Sequence, residues 1–138
     1  MSNFNFLQKE FPHIFKEAVG AEKHTFTEPR FSAILSRTAL EKGLHWLYEN
    51  DVDLEFPYDT KLAALLHNQD FKEILKPTMF RELDVIRLTG NNAAHGKKVS
   101  QFEALQAIKN LFRFFSFISV YYSEENPAIP AFDEKIIQ

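Results

Sequence analysis

The sequence predicts an all-α bundle with two long helices and several short ones. Three observations carry that prediction. Apolar residues recur at intervals of three and four through the long segments, proline and capping signals fall where those segments begin, and no stretch of useful length alternates with the period of a strand.

Phe4, Leu7, Phe11, Ile14, Phe15 and Ala18 fall at helical spacing. Pro12 opens a new helix there rather than interrupting one, because a helix interior needs the N–H that proline lacks. Thr27 is the expected N-cap of the next helix, with Pro29 in its first turn. Phe31, Ile34, Leu35, Thr38, Leu44, Trp46, Leu47 and Tyr48 carry that helix to the neighbourhood of Asn50. Residues 51–57 read as a loop. Asp59 or Thr60 caps a short helix with Leu62, Leu65 and Leu66 on its apolar face, and Phe71, Ile74 and Leu75 form another short piece stopped by Pro77. Met79, Phe80, Leu83, Ile86 and Leu88 resume the pattern as far as Gly90. Ser100 with Glu103 is a capping box, and Leu105, Ile108, Leu111, Phe112, Phe115, Ile118 and Tyr122 give the last helix a broad apolar face. The period is lost beyond Tyr122. Residues 1–123 therefore read as the helical domain, and residues 124–138, with Pro127 and Pro130, as an extended tail or linker.

A chain of 138 residues suits one domain, and 45% hydrophobic with 25% charged residues is a soluble globular balance. Fifteen phenylalanines point to a core built on aromatic surface. The net charge of -3 argues against a free-standing nucleic-acid binder. Without cysteine there is no disulfide and no thiolate zinc site, and a cytoplasmic location is expected. The N-terminus lacks a signal-peptide pattern, and the most apolar run, residues 111–122, contains Arg113 and is too short to cross a bilayer, so no membrane partner is expected. His13, His24, His45 and His67 lack paired ligand spacing, which predicts no metal. Gly90 to Lys98 is not a phosphate-binding loop: five residues separate its glycines, and Lys97-Lys98 is not followed by Ser or Thr. No cofactor is expected.

The segment from Ile86 to Gly96 is the candidate site. In a helix Asn91 and His95 share a face, with Arg87 one turn earlier. This stripe is either a ligand or nucleic-acid site or a buried polar clamp between helices with Glu41 as counter-charge. The clamp is favoured, because a buried arginine or histidine must find partners. On that account His95→Ala costs about 1–3 kcal/mol of stability. Arg37 and Glu41, four apart, form the supporting pair and read as an intrahelical ion pair. Lys97 and Lys98 read as a solvated loop. The aromatics of residues 112–117 read as core rather than as a base-stacking surface, with Phe114 and Phe117 marking a docking surface if exposed.

Ser2-Asn3-Phe4-x-Phe6-Leu7, Arg37-x-Ala39-Leu40-Glu41, Trp46-Leu47-Tyr48 and Ile86-Arg87-x-x-Gly90-Asn91-x-Ala93-Ala94-His95 together resemble the N-terminal helical accessory domain of type I restriction enzyme R subunits. Residues 127–132 resemble the proline-bearing segment that follows it there. The resemblance implies a non-catalytic interaction domain of a restriction-modification system. Its parent subunit would add an endonuclease core, a hydrolase of DNA, and an ATP-driven DNA translocase, both absent from this chain. The implied partners are the other domains of that subunit and the methyltransferase core, with DNA reached through the parent complex.

The same module is similar to the HEPN superfamily, which implies a HEPN-like bundle. Many HEPN proteins are metal-independent ribonucleases whose motif sets an arginine directly before a polar residue, then three residues, then a histidine. Asn91 and His95 match the last two positions, whereas Gly90 holds the arginine's place. Arginine stabilises phosphate charge and histidine moves protons, and glycine does neither. The alternative implied function is a ribonuclease or nucleotide-binding domain centred on His95, with Arg87 reaching in from one turn back.

Overall fold

The computed structural model describes residues 1–137, and these are all-helical: among them there is no strand. After a 3-10 turn at Asn5–Leu7 come α1 (Pro12–Lys23), α2 (Pro29–Asn50), α3 (Leu62–His67), α4 (Gln69–Ile74), α5 (Pro77–Ala94) and α6 (Gln101–Tyr122), then a second 3-10 turn at Glu134–Ile136. Prolines open α1, α2 and α5, where the missing N–H has no partner to lose. The Ser100–Glu103 capping box forms in both directions. The expected cap at Thr27 does not form, since Glu28 occupies the cap position of α2 without a side-chain bond. Nor does Asp59 cap α3. Its carboxylate accepts from the Lys61 N–H at 2.9 Å, a turn that precedes the helix, and Lys61 is the cap residue.

The four longer helices alternate in direction around α2. Arg30 Nε donates to the Ala93 carbonyl at 2.9 Å and Arg37 lies across Gly90, so α2 and α5 run antiparallel. Ser32 Oγ donates to the Ala21 carbonyl at 2.7 Å and Phe11 meets Trp46, which sets α1 antiparallel to α2 on another side. Ala33 packs near Ala104 and Gly43 sits under Phe114 and Phe115, so α6 lies parallel to α2.

Phenylalanines fill the space between them. Phe4, Phe71, Phe114 and Phe115 are fully buried, and Phe4 meets Phe112 and Phe115 edge-on at 6.0 and 6.2 Å. Gly43 makes this packing possible, since a Cβ there would stand 2.8 Å from the Phe115 ring.

Two expectations about chain organisation change. The helix that begins at Pro77 does not stop at Gly90 but continues to Ala94. Gly90 serves close approach: a Cβ there would lie 2.5 Å from the Arg37 Cβ and 3.1 Å from the Ala33 carbonyl oxygen. The tail is extended but is not a free linker over the residues described. Phe132 packs edge-on against Phe112 at 5.3 Å, Asn3 and Asp133 exchange hydrogen bonds of 3.0 and 2.8 Å, and Ile137 is buried. Asn3 also donates through its backbone and its amide to the buried Glu22 carboxylate, at 3.0 and 2.9 Å. The tail, the N-terminus and α1 are thereby joined.

Candidate functional site

Arg87 and Asn91 lie on α5 and His95 is its C-cap residue, and together they do not form a buried clamp. The buried face of α5 is Leu83, Ile86, Gly90 and Ala93, which leaves Arg87 and Asn91 at its edge and His95 pointing away. Arg87 Nε donates to Asp84 Oδ1 at 2.9 Å, one turn back on the same helix. Asn91 is half-buried and its amide has no hydrogen-bond partner among the described residues; the His95 ring is exposed and likewise unpartnered there.

His95 and Gly96 end the helix. Gly96 takes a left-handed φ of 82°, its N–H bonds the Ala93 carbonyl at 3.1 Å, and the Lys97 N–H bonds the Asn92 carbonyl at 2.9 Å. This is a glycine C-cap, which satisfies carbonyls the helix would otherwise leave open. The glycine that punctuates the segment is therefore Gly96, and Lys97 and Lys98 follow it as exposed loop residues.

The supporting pair does not form either. Among the described residues Glu41 makes no ion pair with Arg37 or Arg87, and it lines a shallow groove with His13 and His45 instead. The Arg37 stem is pressed onto Gly90, leaving its Nε buried with no partner among the described residues. Since the His95 ring supports nothing, the expected cost of 1–3 kcal/mol for His95→Ala is corrected. That substitution should shift stability by less than about 0.5 kcal/mol, as exposed unpartnered side chains do. Thermal unfolding checks this, and a clear fall in melting temperature would contradict the exposed placement.

Phe114 is fully buried, as a core role requires, while Phe117 is half-buried and lines an open groove. This groove, of 820 Å³, lies between the end of α4, the start of α5 and the C-terminal half of α6. Ile74, Lys76 and Met79 form one side of it, and Arg113, Ser116, Phe117, Val120, Tyr121 and Tyr122 the other. Val120 is 56% and Tyr121 72% exposed, which is unusual for such side chains side by side on one helix. Arg113 is fixed by bonds of 2.6 Å to Glu82 and to the Asn110 carbonyl oxygen of the side chain. Tyr122 donates to Asp51 Oδ2 at 2.6 Å, and burial together with that bond pushes its phenol well above the usual range. Both side chains are rigid walls.

Sequence reasoning assigned Tyr122 to the core and did not single out the groove. The available signal was the width of the apolar run in α6. Arg113, Ser116, Phe117, Val120 and Tyr121 follow helical spacing on a stripe separate from Ala104, Ala107, Ile108, Leu111, Phe115 and Ile118.

Fold and surface together define a helical-bundle module with an open apolar groove and a solvent-facing polar helix end. Residues 20–129, most of the chain, match the model of the family described as Domain of unknown function (DUF4145), and the chain belongs to that family. Neither a curated protein nor a solved structure matches it. Among the described residues no helix is long and apolar enough to cross a membrane.

Proposed function

We propose that this chain is a non-catalytic interaction domain of a type I restriction-modification R subunit, which docks the other domains of that subunit or the methyltransferase core. The observation that carries the docking role is the groove beside α6, where Phe117, Val120 and Tyr121 present aromatic and aliphatic surface to solvent. Large concave apolar surface of this kind serves association. The restriction-system context is supported by the sequence resemblance, and DNA translocation, DNA cleavage and a cytoplasmic location belong to the proposed parent complex. Pull-down of the remaining R subunit and of the methyltransferase core with the purified domain tests the reading. Retention of either, competed by untagged domain, is expected; retention of neither overturns it.

A second reading, a HEPN-like ribonuclease or nucleotide-binding domain centred on His95, is favoured by one observation. His95 is open to solvent and is followed closely by exposed Lys97 and Lys98. Against it stands Gly90, which faces α2 and leaves no room for the motif's arginine. RNA cleavage by the wild-type domain, lost in a His95→Ala variant of unchanged melting temperature, would establish this reading over the first.

A further inference from the structure

We infer that one end of the bundle, where α2 and α6 begin and α5 ends, binds single-stranded nucleic acid. Arg30, Arg37, Lys97 and Lys98 meet its phosphates, and Phe31 and Phe102 stack on its bases. This role is separate from docking at the α6 groove and requires nothing of His95.

The fold pins these segments together. Arg30 Nε donates to the Ala93 carbonyl at 2.9 Å, and the Gln101 side-chain amide donates to the Phe26 carbonyl at 2.8 Å. Ala33, Ala93, Val99 and Ala104 pack between them as one small apolar cluster. The head of Arg30 therefore lies at the last turn of α5, from which exposed Lys97 and Lys98 lead to Ser100, the cap of α6. Arg37 stands about two turns along α2 from Arg30. It is half-buried with its Nε unpartnered among the described residues, so its charge is left uncompensated and an anion there relieves that cost.

These cations are free. None of the four makes an ion pair among the described residues. The sequence carries no carboxylate between Asp84 and Glu103. Glu103 itself is turned onto the Ser100 N–H at 3.0 Å and Glu22 is buried against Asn3, which leaves Glu28 as the carboxylate open to oppose them at this end. The net charge of -3 conceals that separation. Glu49, Asp51, Asp53, Glu55 and Asp59 fall in residues 49–59, which hold no lysine or arginine and follow the far end of the 22-residue α2, about 30 Å away. A polyanion is drawn to one end and repelled from the other.

The rings select a single strand. Phe102 is 75% and Phe31 45% exposed, and the His24 ring meets Phe31 edge-on at 4.8 Å. Exposed phenylalanines among free cations form the surface on which unpaired bases stack while the backbone follows the charges. A duplex hides its base faces, and an acidic protein surface would answer the cations alone.

The test titrates the whole chain into fluorescein-labelled oligo-dT, oligo-U and a duplex of equal length, read by fluorescence anisotropy at several salt concentrations. Saturable binding of a single strand is expected, with the duplex about tenfold weaker or more, and the strand preferred tells DNA from RNA. Each phosphate neutralised on a single strand adds about -0.7 to the slope of log affinity against log salt, so four cations predict a slope of about -3. Lys97→Gln combined with Lys98→Gln should halve that slope. Phe102→Ala should weaken binding about tenfold while the melting temperature holds. No saturable binding, equal binding of duplex and single strands, or affinity unchanged by Phe102→Ala overturns the inference. So does binding that His95→Ala removes and Phe102→Ala leaves intact, which belongs to a site centred on His95.

Discussion

Arginine introduced at position 90 is expected to leave the chain without a stable fold, although it would restore the residue that the HEPN motif has there. Even a methyl group at this position meets α2 backbone and the root of a side chain, since its Cβ would stand 3.1 Å from the Ala33 carbonyl oxygen and 2.5 Å from the Arg37 Cβ. Neither atom is the free end of a flexible chain, so α2 and α5 must separate. Overpacking of this kind costs about 1–3 kcal/mol for small additions, against about 1 kcal/mol regained because alanine favours a helix over glycine. Gly90→Ala should therefore lower the urea midpoint yet keep the fold. Gly90→Arg adds a longer side chain and places its charge beside Arg37, which already lacks a partner for Nε. Together these approach the whole stability of an ordinary domain, about 5–15 kcal/mol. A Gly90→Arg protein with a wild-type urea midpoint would show that the α2–α5 crossing is not as described.

The second large effect is expected at Phe115. Its ring is fully buried, meets Phe4 at 6.2 Å and Phe114 at 5.6 Å, and lies on α2 through the space left by Gly43. Phe115→Ala removes all of these contacts and opens a cavity between rigid rings and helices, at a cost of about 3–5 kcal/mol. Phe102, at 75% exposure on the same helix, is the contrast, and its replacement by alanine should change stability by less than about 0.5 kcal/mol. Thermal unfolding of the two variants measures the difference. Similar melting temperatures for both would contradict the placement of the aromatic core.

The helices were legible because their signals are local. Ser100 and Glu103 sit three residues apart, prolines mark the first turns, and apolar spacing marks the buried faces. What failed depends on distant neighbours. Gly90 looks like a helix stop until α2 is seen lying on it, and Gly96 becomes the cap only through its left-handed backbone. Tail docking joins Asn3 to Asp133 across nearly the whole chain, and extended backbone carries no period to announce it. At the candidate site, spacing gave the shared edge of Arg87 and Asn91. It could not give the rotation of α5 about its axis, nor that His95 falls at the C-cap just outside the helix, nor that the Arg37 stem lies against Gly90 instead of pairing with Glu41. The groove was hidden for a related reason. A helix with apolar residues on two stripes reads as one broad core face until the neighbours of each stripe are known.

The central claim is that this domain acts by docking through the face of α6 rather than by chemistry at His95. The most direct measurement is to add the rest of the proposed parent R subunit and its methyltransferase core to isotope-labelled domain and follow each amide by nuclear magnetic resonance. The account predicts that signals from Met79, Phe117, Val120 and Tyr121 shift or broaden first while those of Arg87, Asn91 and His95 stay in place. Changes centred on His95 that leave the α6 face untouched would contradict it.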